Sequence, residues 1–159
     1  MKITKQDEYG LRILLRIARA DDDQGLTIAQ LSALENMSKP YAGKVTRMLR
    51  LAGYIRSTRG QKGGYVLAFP ATSILIKNVL TDMGSELFAP EYCKEHRGPI
   101  KLCTRSVDCS IRSLWKIIQL TMDEVLDKVT LADLIGEDGS ESNALDQLFA
   151  QRVATQEMT

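Results

Sequence analysis

Apolar residues in the N-terminal part of the chain recur at helical intervals, then give way to alternation. Leu11, Leu14, Leu15 and Ala18, joined by Ile13 and Ile17, predict a helix from about Lys5 to Arg19, with Thr4 as its cap and Asp7 as the reciprocal partner. Asp21-Asp22-Asp23 opposes a helix C-terminus and reads as a polar turn through Gly25. Thr27 caps a shorter helix through Ile28, Leu31 and Leu34, and Glu35-Asn36-Met37 is the turn after it. Ser38 caps a third helix, with Pro40 in its first turn, an inner stripe of Val45, Met48, Leu49 and Ala52, and Gly53 as its stop. Tyr54 to Thr58 and Tyr65 to Phe69 alternate as two strands of a Gly-tipped hairpin, and Pro70 closes the module. Further on, Ile111, Trp115, Ile118, Met122, Val125 and Val129 recur at spacings of 4, 3, 4, 3 and 4, a heptad seam supported by Leu114 and Leu126.

A short helix, a second helix and a hairpin in that order form a winged helix-turn-helix. The expected fold is mainly α with a small β wing, plus a long dimerisation helix. The organisation expected is a winged helix-turn-helix over 1–70, a connecting helix over 71–90 and a cysteine-rich cluster-binding loop over 91–110. A dimerisation helix over 111–131 and a partly flexible C-terminal segment over 132–159 complete it.

Charge sharpens this picture. The 159-residue chain carries 21 basic and 20 acidic side chains, a net of +1. The balance hides an asymmetry: residues 1–70 hold 12 basic and 6 acidic residues, and residues 71–159 hold 9 and 14. Between Ser38 and Phe69 there are seven Lys or Arg and no Asp or Glu. A basic face on the second helix of a helix-turn-helix points to a double-stranded DNA operator, with that helix in the major groove and the wing on the backbone. Ser38, Lys39, Tyr41, Lys44, Arg47, Arg59 and Lys62 are the candidate DNA-binding residues. Tyr41 could equally be core, and Lys44 and Arg47 could be solvated. Arg59 at the hairpin tip can enter a narrow minor groove.

The cysteines are the second constellation. Cys93, Cys103 and Cys109 are spaced C-x9-C-x5-C in a loop-like composition. Zinc sites usually show closely spaced cysteine pairs, and none occurs here. Three loop thiols suit soft-metal chemistry, iron–sulfur ligation above all, with redox-active free thiols and inert cysteines as the alternatives. An odd number of cysteines argues against a disulfide framework. No apolar run approaches the ~20 residues of a membrane span and no signal-peptide core follows Met1, so a cytoplasmic protein off the membrane is expected. A single histidine, no P-loop and no nucleophile–base arrangement speak against an enzyme.

The order Asp7-Glu8-Tyr9-Gly10-Leu11-Arg12, Ala52-Gly53-Tyr54, Arg59-Gly60-x-x-Gly63-Gly64, three cysteines, Leu114-Trp115 and Thr130-Leu131-Ala132-Asp133-Leu134 resembles the IscR/NsrR family. These are bacterial winged-helix regulators that carry an iron–sulfur cluster. The likeness covers nearly the whole chain to about Glu137, and the first and last motifs lean toward the nitric-oxide-sensing NsrR branch. The resemblance implies a homodimeric transcription repressor in which Cys93, Cys103 and Cys109 hold a cluster, [4Fe–4S] favoured over [2Fe–2S]. In the IscR branch the fourth ligand is a histidine three residues past the third cysteine. Here that position is Arg112, which cannot ligate. In the NsrR branch it is a carboxylate from the first helix of the partner subunit, and Glu8 falls there. Glu8 could also be a solvated residue paired with Arg12, and His96 inside the cysteine loop is a competing ligand. The implied signal is nitric oxide, redox state or iron. A cluster-free repressor that senses redox through its cysteine thiols is the alternative.

Overall fold

The computed structural model describes residues 4–20, 25–58, 63–84 and 109–135. Local backbone chemistry sets the first three helices where the sequence places them. At the start of α1 (Lys5–Arg19) the Thr4 hydroxyl accepts from the Asp7 N–H, and the Asp7 carboxylate accepts from the Thr4 N–H at 2.8 Å. Thr27 and Gln30 make the same reciprocal box at the start of α2 (Ile28–Leu34). Ser38 accepts from the Tyr41 N–H at the start of α3 (Lys39–Leu51), and Pro40 occupies the first turn. Gly53, with φ of 87°, ends α3 in the left-handed conformation that a Cβ disfavours. The acidic turn at Asp21-Asp22-Asp23 lies outside the described residues.

The wing is antiparallel, with Ile55 opposite Leu67 and Ser57 opposite Tyr65 across β1 (Ile55–Ser57) and β2 (Tyr65–Leu67). Both strands are shorter than their alternation suggests. Tyr54 gives its N–H to the Leu49 carbonyl at the helix stop, while its own carbonyl accepts from the Ala68 N–H at 2.9 Å and carries the hairpin pairing one step further. A single bridge between Leu26 and Tyr65 ties β2 to the segment before α2. That contact requires Gly25: its φ is 72°, and a Cβ there would lie 2.3 Å from the Tyr65 carbonyl oxygen.

One core joins α1, the helix-turn-helix and the wing to residues around 74–83 and 129–131. Ile13, Leu14 and Ile17 from α1 meet Leu31, Val45, Leu49 and Ile55 from the helix-turn-helix and wing. Ile74, Ile76, Val79, Val129 and Leu131 belong to the same cluster. The core therefore runs past Pro70, which ends the wing and not the packed unit. The inner stripe of α3 is Ala42, Val45, Thr46 and Leu49. Met48 is half-buried, because helical rotation puts it at the edge of that stripe, and Ala52 is exposed as the C-cap.

After a short 3-10 turn (Ala71–Ser73), the connecting segment forms α4 (Ile76–Asp82). The seam residues lie on α5 (Ser110–Leu126), which ends before Val129. The expectation of one helix over 111–131 is corrected here. Val129 is buried, and its carbonyl accepts from the Ile76 N–H while the Leu131 N–H reaches the Ile74 carbonyl at 2.8 Å. Thr130 and Asp133 form a new cap that opens α6 (Leu131–Ile135). Val129 thus keeps heptad spacing but packs in its own subunit. Among the described residues, no helix is long and apolar enough to cross a membrane.

α1 is the central strut. It packs on α3, β2 and α6, and Arg19 donates to the Ile135 carbonyl. At its other end Gln6 donates to the Met83 carbonyl at 3.0 Å. Two polar contacts connect the outer elements. Tyr54 donates to Asp82 at 2.5 Å, joining the wing base to α4. Lys77 of α4 pairs with Asp123 and Asp127 at 3.6 and 2.9 Å, joining α4 to α5.

Burial, then the hydrogen bond to Asp82, raises the pKa of the Tyr54 phenol above its ordinary value of 10.0. The folded chain then holds this proton above about pH 10 where the unfolded chain releases it, so stability falls as pH rises through that range. Tyr54→Phe should cost about 0.5 kcal/mol at neutral pH, the low end because solvent reaches the pair. It should also flatten the loss of stability above about pH 10. Urea unfolding at pH 7 and pH 10.5 checks both.

Candidate nucleic-acid interface

Helical rotation divides α3 cleanly. The inner stripe faces α1 and α2, while Lys39, Lys44, Arg47 and Arg50 are exposed. Among the described residues no carboxylate pairs with any of these four. Four such cations on one helix supply the charge a polyanion-binding face needs, and the helix is the second of a helix-turn-helix. On the wing, Arg56 is exposed beside this face in sequence. Arg59 and Lys62 lie outside the described residues. They sit between Thr58 and Gly63 in the chain, and Gly64 donates its N–H to the Thr58 hydroxyl at 2.8 Å, closing the hairpin.

The other two predicted DNA contacts have internal partners. Ser38 uses its hydroxyl as the α3 cap. Tyr41 is half-buried and meets Tyr9 of α1 edge to face, ring centroids 5.6 Å apart. The packing reading of Tyr41 is thus the one realised in the free chain.

A charge cluster that the sequence reading did not single out fixes the turn between α2 and α3. Glu35, with its side chain only 5% exposed, takes Arg16 at 2.5 Å and Arg12 at 3.6 Å. A buried carboxylate needs such partners, and removing them leaves an uncompensated charge. Arg12 also pairs with Glu8 at 2.7 Å and lies over the Tyr9 ring, 5.8 Å from its centroid. The available signal was that Glu35 is the only acid between Asp23 and Asp82. Asn36, next in the turn, adopts a positive φ of 48°.

The predicted cluster ligands are only partly placed. Cys109 is the N-cap of α5, and its sulfur accepts from the Arg112 N–H at 3.4 Å. A sulfur receiving a backbone N–H suits a metal-bound thiolate, whose potential such bonds tune. Cys93, Cys103 and His96 lie outside the described residues, and among those described no three metal-binding side chains converge. Glu8 is 52% exposed on the first turns of α1, open to a second molecule and paired meanwhile with Arg12.

Residues 3–137 match the Rrf2 family, described as iron-dependent transcriptional regulators. Protein rrf2 of Nitratidesulfovibrio vulgaris Hildenborough is 37% identical over 135 residues, which are 85% of this chain and 87% of that protein. The structure of CymR, the global cysteine regulator of B. subtilis, is similar with a TM-score of 0.65 and 29% identity, covering 85% of this chain and 96% of the other. T. potens IscR shares the fold at a TM-score of 0.67 and 24% identity, covering 90% and 91%.

Lys44→Ala and Arg59→Ala should each weaken operator binding without unfolding the protein. Removing one cation from a phosphate should flatten the dependence of log K on log salt by about one unit. Salt-titrated binding assays on both variants read this directly, and an unchanged slope in both counts against the docking.

Proposed function

Because the chain belongs to the Rrf2 family of transcriptional regulators, we propose that it is a homodimeric repressor whose operator affinity is set by an iron–sulfur cluster. The observation that carries this reading is the position of Cys109 at the head of α5. Cys93 and Cys103 precede it in the segment leading into that helix. Cys93, Cys103 and Cys109 would hold the cluster, [4Fe–4S] in our reading. When bound, it supplies a centre that reacts with nitric oxide or oxidants and depends on iron supply.

Glu8 of the partner subunit is the proposed fourth ligand, as in the NsrR-like branch. Its carboxylate is exposed, and its bond to Arg12 is of the screened surface kind that a stronger ligand displaces. Leaving Arg12 would not strand that cation, since Glu35 remains beside it. The homodimer rests on α5. Its Ile111, Leu114, Ile117 and Leu120 are 52–61% exposed, and none of its residues is buried. An exposed apolar face of this size is typically an interface.

A contiguous set of contacts supports coupling to DNA. Cys109 starts α5, α5 is ion-paired through Lys77 to α4, and the last residue of α4 holds Tyr54 at the wing base. A change at the cysteines that shifts α5 therefore has a physical route to the wing. The alternative is a cluster-free thiol switch, favoured by the likeness to a regulator named for cysteine.

Anaerobic purification separates the two. A brown protein with about four irons per subunit supports the cluster, and a colourless protein with full operator binding supports the thiol switch. Cys103→Ala should give a folded dimer with operator binding weaker by ten- to hundredfold, about 1.4 to 2.8 kcal/mol of coupling. Full affinity in that variant would sever the cysteines from control of this operator. Glu8→Ala should make the cluster more labile and shift its visible spectrum, while His96→Ala should do neither.

A further inference from the structure

We propose that the acidic stretch 137–146 of this chain docks on the cationic face of α3 in the free protein and competes with DNA for it. The proposal rests on the DNA-binding reading of α3 and gives the same surface a second occupant.

Lys39, Lys44, Arg47 and Arg50 are exposed, and among the described residues no carboxylate pairs with them. Lys44, Arg47 and Arg50 follow one another at three-residue spacing, where like charges on a helix repel. Nearby carboxylates are engaged elsewhere. Glu8 and Glu35 hold Arg12 and Arg16, Asp82 takes the Tyr54 hydroxyl, Asp123 and Asp127 take Lys77, and Asp133 accepts from Thr130. An anion for α3 must therefore come from outside these groups.

The chain itself supplies one. Residues 136–159 lie outside the described residues and carry five acidic side chains and one basic. Four of the acids, Glu137, Asp138, Glu141 and Asp146, fall within ten residues that hold no Lys or Arg. Four negative charges thus face four positive ones. The family match ends at residue 137, so nearly all of this stretch is added to the part shared with other regulators.

Its starting point suits the task. α6 ends at Ile135, whose carbonyl accepts from Arg19 of α1, and α1 packs on both α6 and α3. α1 is ~22 Å long, while residues 136–146 can span up to about 36 Å. The acids are therefore within reach of α3. A tethered segment meets such a face at an effective concentration on the order of millimolar, so weak contacts suffice. Asp21-Asp22-Asp23, also outside the described residues, is confined to the short link between Ala20 and Gly25 and cannot follow α3 along its length.

The docked stretch must leave before any duplex binds. It therefore lowers the affinity for every duplex by one common factor. It also leaves fewer cations for phosphates to neutralise anew, which flattens the salt dependence.

Two measurements on the full chain test this. Carbodiimide cross-linking at low salt should join Glu137, Asp138, Glu141 or Asp146 to Lys39 or Lys44. Those links should disappear when duplex is added, and near 1 M salt, where the Debye length is about 3 Å. Links only to other lysines, or none, overturn the proposal. The second measurement replaces the four acids together, as Glu137→Gln, Asp138→Asn, Glu141→Gln and Asp146→Asn. This protein should bind random duplex, and the duplex that wild type enriches from a randomised pool, about three- to tenfold more tightly, by the same factor for both. Its log K should fall more steeply with log salt. Unchanged affinity and slope overturn the proposal, as does a gain on one duplex alone. A loss of dimer in this variant assigns the stretch to the α5 surface instead and also overturns it. Cross-linking needs no DNA, which keeps the two readings apart. If neither protein binds any duplex but the links to Lys39 or Lys44 form, the DNA reading falls and the docking stands. If both bind duplex equally and no such link forms, the DNA reading stands and this inference falls.

Discussion

The buried face of α1 is the constraint on which the rest depends. Ile13, Leu14 and Ile17 lie under the recognition helix on one side and under Leu131 and Val129 on the other. Fully burying side chains of this kind stabilises by roughly 1.5–3 kcal/mol each. The segment at 129–131, which returns from α5 and opens α6, is therefore held to the same strut as the helix proposed to read DNA. The backbone bonds between 74–76 and 129–131 give a displacement of α5 one route to α1, through the short turn at 127–128.

Charge is partitioned to the same effect. Carboxylates near the DNA-binding module are engaged internally: Glu35 by Arg12 and Arg16, Glu8 by Arg12, Asp82 by Tyr54. Lys39, Lys44, Arg47 and Arg50 have no such partner among the described residues. Cations near α1 hold the structure, while those on α3 stay available to the proposed DNA partner. The two arginines on Glu35 also tie α1 to the C-terminal end of α2, at the turn that leads into α3.

How much of this was legible from sequence follows from the range of the interactions. Thr4, Thr27, Ser38, Pro40 and Gly53 act within one turn of where they stand, and the three helices they delimit are found as read. The wing's pairing was legible from its alternation and glycines, though not that Tyr54 would divide its backbone between the helix stop and the hairpin. Non-local pairings were not legible. Val129 keeps heptad spacing with Met122 and Val125, yet a new cap at Thr130 and two backbone bonds to the 74–76 segment take it into its own core. Tyr41 carried two readings, and only its encounter with Tyr9, far away in sequence, separates them for the free chain. At the candidate sulfur site the sequence supplied the three cysteines, and the structure adds that Cys109 caps a helix. Cys93 and Cys103, like Arg59 and Lys62, lie outside the described residues.

α5 holds the two halves of the proposed function together because neither of its faces is complete. Trp115, Ile118, Met122 and Val125 are half-buried, while Leu114, Ile117 and Leu120 on the adjoining arc are more exposed still. Apolar residues over so broad an arc exceed what one seam requires. A helix apolar on most of its circumference is stable when it is covered on more than one side, so a second copy would complete it and not merely touch it. Cys109 caps that helix with its sulfur, so the first turn of α5 and the chemistry of the thiol are one local structure. Binding a metal would charge that sulfur and strengthen the bond from the Arg112 N–H, while oxidising the thiol would weaken the acceptor. The start of the helix and the apolar surface it offers to a partner would then change together. Sensing and dimer geometry would thus share a single hydrogen-bonded turn.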